Sequence, residues 1–212
     1  MKNQTSPVDD LKHIRQMMEE SSKFLSLSGL SGIAVGCFAL LGSAVAYFLI
    51  LEQGTIRYDE FLRVVQGGWF NHFRLYMILD ALFVLTGALV SAWYITYRQG
   101  KHKGQKFWTP SAKKLVGSLS SVLVTGGLFC IILLLQGYGK LLASSMLIFY
   151  GLALLNAAKY SKHDIRSLAY AQVVLGLLGA VLLDYGLFIW TIGFGMVHII
   201  YGTVMYFKYD RR

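Results

Sequence analysis

Six long apolar stretches divide this chain, and the basic residues between them cluster on every second connection. A helix crossing a bilayer needs about 20 apolar residues, because hydrocarbon offers no water to bond stray backbone N–H and C=O groups. The stretches lie at 25–51, 75–97, 115–136, 141–159, 165–184 and 187–208. They take up most of the 212 residues. No segment remains for a separate soluble domain, which usually needs at least about 50 residues. The pattern predicts an all-α polytopic membrane protein. Residues 24–212 form one transmembrane domain of six helices, arranged as three antiparallel hairpins. Residues 1–23 precede it as a cytoplasmic amphipathic helix.

Charge gives the expected orientation. The net charge of +9 would raise nucleic acid as a partner for a soluble protein. In a polytopic chain it reads as the positive-inside bias instead, and no nucleic-acid partner is expected. Sixteen of the twenty Lys/Arg fall in the N-terminal tail, the second and fourth loops and the C-terminal tail. Only Arg57, Arg63, Arg74 and Lys140 fall on the other side. Both termini are therefore expected in the cytoplasm of a bacterial inner membrane. Ala44-Val45-Ala46 resembles a signal cleavage site, but the apolar run before it is too long for a signal core of about 7–15 residues. The first span is read as retained.

The connections carry their own signals. Ser6 suits a helix cap, Pro7 the first turn, and Asp9 and Asp10 the positive end of the helix dipole. Leu11, Ile14, Met18 and Leu25 then recur on one face. Residues 7–22 thus suit the inner membrane surface or the bundle, or the docking of a cytoplasmic protein or second copy. The loop at 52–74 alternates aromatic and charged residues, as an interfacial segment or a ligand-binding cap would. The loop Arg98 to Lys114 is basic with no acid and suits anionic lipid headgroups. The tight turns 136–140 and 184–186 make their flanking helices hairpin partners. Thr86-Gly87, Tyr150-Gly151 and Tyr201-Gly202 recur in the returning helices, either as triplication or as convergence within a small membrane alphabet.

Lipid removes the hydrophobic drive for helix association, so small residues and polar contacts must hold the bundle. Ser28, Gly32, Gly36, Ala39 and Ser43 line one face of the first span, with a GxxxG step at 32–36. That face packs within the bundle or against a second copy. Ala169, Gln172, Gly176 and Gly179, and Thr191, Gly195, His198 and Gly202, offer similar faces. Cys37 and Cys130 read as small buried hydrophobes.

Ionisable groups within the membrane are costly and usually face the protein interior. Asp80 lies about two turns into the second span, with Tyr76 and His72 on the same face. His198 lies near the middle of the sixth span, Gln172 in the fifth and Asn156 near the end of the fourth. Together they form either a polar line across the bilayer, with His198 relaying protons, or a set of separate interhelical hydrogen bonds. There is no H-E-x-x-H, CxxC or G-x-S-x-G pattern, so no catalytic residue, metal or cofactor is expected.

The glycines at 176 and 179 going out, and at 195 and 202 coming back, resemble those of the HdeD-type six-helix membrane proteins of bacteria, chiefly over Leu175 to Lys208. The resemblance implies an envelope or acid-stress association and no catalytic residues. The expected function is that of a non-enzymatic membrane protein with a structural, stress-related or regulatory role. The alternatives are a small proton, cation or solute transporter or channel built on Asp80 and His198, and a lipid-acting enzyme.

Overall fold

The fold comes from a computed structural model, described over residues 29–50, 72–102, 108–161 and 165–211. The amphipathic segment 1–23, Ser28 and most of the 52–74 loop lie outside this set. The described residues are almost wholly helical, with no strand among them. Helix α1 runs Gly29–Val45 and continues as a π-helical turn, Ala46–Ile50. Helix α2 is His72–His102, α3 is Pro110–Leu135 and α4 is Leu142–Ala157. Helix α5 is Arg166–Val181. Helix α6 occupies 186–210 as alternating α and π segments. Five of these segments are long and apolar enough to cross a membrane; α5, at 16 residues, is shorter.

The helices outlast the apolar runs at their polar ends. Helix α3 begins at Pro110, five residues before the apolar run at 115, because Thr109 caps it. The Thr109 hydroxyl accepts the Ala112 N–H at 3.1 Å, and Pro110 has no N–H to satisfy. Lys113 and Lys114 ride exposed on its first turns. At the far end Gly137 takes a φ of +80°, where a side chain would strain the turn into Gly139–Leu141.

Helix α1 lies between α2 and α6, and α4 lies between α3 and α5 while also meeting the start of α6. Among the described elements α2 packs substantially on α1 alone. The α1–α6 contact is nearly backbone on backbone. A Cβ added to Gly32 would stand 3.1 Å from Gly202 Cα, and one on Gly36 2.7 Å from the Gly195 carbonyl oxygen. The small face read from Gly32 and Gly36 is thus filled by α6 of the same chain. Ala39 and Ser43 on that face are buried too. Cys130 is buried as expected, but Cys37 faces outward, since α6 covers only one side of α1.

The ends of the bundle are tied. The Gly29 N–H donates to Asp210 Oδ2 at 2.8 Å, so the carboxylate caps the start of α1 from the end of α6. Lys140 Nζ and Asp184 Oδ1 stand 3.4 Å apart and join two turns at the opposite end of the bundle.

Candidate functional site

The buried polar centre lies where α4, α5 and α6 meet. Gln172 and His198 are 0% and 2% exposed. The π-helical stretch Thr191–Val197 sets the geometry. Widening the turn brings residues five apart onto nearly one face, so the His198 ring reaches back along its own helix. Its Nδ1 lies 3.0 Å from the Gly193 carbonyl oxygen. That oxygen only accepts, so Nδ1 carries the proton and donates. Nε2 is left bare and accepts the Tyr150 hydroxyl at 2.9 Å. Gln172 Nε2 donates to the same Gly193 oxygen at 2.8 Å. Its 3.3 Å approach to His198 Nδ1 is therefore a meeting of two donors. Turning the amide over would set Gln172 Oε1 against the Gly193 oxygen, so one carbonyl fixes both side chains. Gln172 Oε1 and Ser144 Oγ have no hydrogen-bond partner among the described residues.

Aromatic rings close the centre. Phe194 stacks on His198 with 5.8 Å between centroids and 15° between planes. Tyr150 leans on both rings, and Trp190 continues the stack beyond Phe194. Gly193 leaves room for this arrangement. A Cβ there would stand 2.9 Å from Gln172 Oε1 and would also meet Leu147.

The other polar residues serve separate interfaces. Asn156 Nδ2 donates to the Ser118 carbonyl at 3.0 Å, and Ser118 Oγ donates to the Asn156 carbonyl at 3.1 Å. This reciprocal pair joins α3 to α4. Thr191 Oγ1 and Ser43 Oγ lie 2.8 Å apart across α1 and α6. Each also lies within bonding distance of a carbonyl four residues earlier in its own helix. Two protons serve these three contacts, so one hydroxyl donates across the interface and the other to its own backbone.

Asp80 stands apart. It lies on α2 opposite Gly42 of α1, where an added Cβ would be 3.5 Å from both carboxylate oxygens. It is partly buried and has no hydrogen-bond or ion-pair partner among the described residues. Tyr76, four residues earlier, is 54% exposed. His72 opens α2, and its side chain lies outside the described set. Helix α1 meets α2 through Gly42 and α6 through Gly36 and Ser43, whereas His198 faces α4 and α5. The structure therefore brings Gln172 and His198 together but not Asp80, Tyr76 or Asn156. Tyr150 and Gly193 complete the centre, and sequence reasoning did not single them out as site residues. Among the described residues no group of three or more His, Cys, Asp or Glu is placed to hold a metal ion. Compared with known proteins, the chain matches no family model, no curated protein and no solved structure.

Proposed function

We propose that this chain is a non-enzymatic multi-pass protein of the bacterial inner membrane with a structural, stress-related or regulatory role. Six spans form three antiparallel hairpins behind an amphipathic helix, and both termini face the cytoplasm. Residues 7–22 dock a cytoplasmic partner or a second copy, and the basic loops meet anionic lipid. The likeness of Leu175 to Lys208 to HdeD-type proteins directs the role toward envelope or acid stress. One observation carries the non-transport reading. The donors of Gln172 and His198 converge on the Gly193 carbonyl, and Asp80 lies across α1 and α6 from them. A conducting line needs polar groups in sequence across the membrane; here Gln172 and Tyr150 tie α5 and α4 to α6, and Asp80 lies outside that set.

The alternative, a small proton, cation or solute transporter or channel, is favoured by Asp80 alone, because that carboxyl has no partner among the described residues. Liposome flux separates the two readings. Wild type and Asp80→Asn should both show the flux of empty liposomes. Wild-type proton or cation flux above that level, lost in Asp80→Asn, overturns the favoured reading. Removing residues 1–22 should deplete the set of proteins recovered with the full chain; an unchanged set counts against docking through 7–22.

A further inference from the structure

The end of α6 carries an inference about how the bundle holds its first helix. We propose that the last turn of α6 and the start of α1 form one two-position latch, π-helical while the Asp210 carboxylate caps α1 and α-helical once that cap is released. Three observations meet there. First, the turn Tyr206–Asp210 is π-helical, and the Arg211 N–H donates to the Tyr206 carbonyl five residues back at 3.1 Å. Single π turns are rare and gather at functional positions. The sequence Tyr-Phe-Lys-Tyr-Asp holds no proline or glycine to break an α-helix, so the cause of the wide turn lies in what the turn touches.

Second, the wide turn aims the carboxylate. At about 100° per residue an unbroken α-helix would set Asp210 about 140° from Met205 and about 80° from Gly202. Met205 is buried, and Gly202 lies against Gly32 of α1. In a π turn residues five apart lie on nearly one face, so Asp210 follows Met205 and its Oδ2 reaches the Gly29 N–H at 2.8 Å.

Third, the start of α1 is fitted to this turn. A Cβ on Gly29 would run into the Tyr206 nitrogen and the Gly202 carbonyl oxygen. The first N–H groups of a helix have no acceptor within it, so the Gly29 N–H depends on one from outside. Each half therefore holds the other: the cap keeps the turn wide, and the wide turn supplies the cap. Gly202 precedes the turn, so its packing on Gly32 is common to both positions. Residues 1–28 lead into α1 at this joint. That the latch answers to a load on that segment rests on docking through residues 7–22. That the turn has two positions does not, and it is tested on the chain without a partner.

The test uses the full chain in lipid nanodiscs, with Cys37 and Cys130 replaced by alanine and nitroxide labels at Leu41→Cys and Arg211→Cys. Leu41 is exposed on α1, and Arg211 follows the turn directly. Pulsed EPR should give one main distance with aspartate at 210. In Asp210→Ala that distance should shift by several ångströms, since a quarter-turn at a helix radius of about 5–6 Å carries a side chain about 8 Å. Asp210→Asn, whose side-chain oxygen still accepts the N–H, should restore the aspartate distance. An Asp210→Ala distance equal to that of wild type overturns the proposal, because the π turn then stands without its cap. So does a shift in Asp210→Asn as large as in Asp210→Ala. Deleting Tyr209 tests the latch with the cap kept, because an α-helical last turn then sets the carboxylate about 20° from Gly202. In SDS titration this deletion should unfold closer to wild type than Asp210→Ala does; unfolding more readily than Asp210→Ala also overturns the proposal.

Discussion

At the scale of single residues, one backbone oxygen organises the centre of the molecule. Gly193 accepts from Gln172 and His198 at once, and His198 passes the order on to Tyr150 through its other nitrogen. The parts are unequal. Gln172→Leu removes one of two donors to a carbonyl that keeps the other, and should cost about 0.6–1.7 kcal/mol, the range for interhelical hydrogen bonds in membranes. His198→Leu leaves the Tyr150 hydroxyl without its acceptor and breaks the stack on Phe194, so the loss should be larger, about 1–3 kcal/mol. Unfolding in mixed micelles titrated with SDS measures both. A Gln172→Leu loss matching or exceeding that of His198→Leu would contradict this ranking. Gln172 and His198 were legible as polar exceptions in apolar runs. Tyr150 was not, because a lone tyrosine in a span carries no periodic signal and its partner is 48 residues away. Gly193 was hidden as one of twenty-two glycines, and its role depends on a π turn that composition does not announce.

At the scale of helices, glycine has two opposite uses. On α1 and α6 it lets backbones meet: Gly32 stands against Gly202, and Gly36 against the Gly195 carbonyl. On α3, Gly117 and Gly127 meet nothing within 4 Å. Gly32→Leu or Gly202→Leu should therefore force the pair apart and cost at least about 1–3 kcal/mol. Gly117→Leu and Gly127→Leu should stay within about 0.5 kcal/mol of wild type. The same unfolding titration reads all four, and equal losses at both kinds of site would refute the distinction. The existence of the spans was plain from the chain, since few folds besides a bilayer bundle use so many apolar runs near 20 residues. Their ends were less plain, because hydropathy marks where lipid stops rather than where the helix stops. Thr109 and Pro110 begin α3 in the basic loop, and α2 carries Arg98 and Lys101 beyond its apolar run. The π segments of α1 and α6 leave no mark on hydropathy, because they change which residues share a face and not which residues are present.

At the scale of the whole molecule, the bundle has a sparse edge at α2 and a tighter body around α4. Its surface charges do little for stability. Lys140 and Asp184 are 28% and 60% exposed, so Lys140→Ala should cost no more than about 0.5 kcal/mol, and that cost should shrink as salt is raised. Orientation is testable at the same scale. Single cysteines at Lys101 and Tyr138, in a chain whose Cys37 and Cys130 are replaced by alanine, should react with impermeant reagents from opposite faces, position 101 from the cytoplasm. Reaction of both from the same face would break the six-span topology.

The cap that Asp210 places on Gly29 has a consequence for how the chain is made. The opening helix leaves the ribosome well before the glycines that clasp it, and 181 residues before the carboxylate that seals its tip. Until those residues arrive, its narrow face has only lipid or a chaperone for company. A chain cut short before residue 202 would keep the second to fifth helices whole and leave the first without its Gly202 contact and its Asp210 cap, open to membrane proteases.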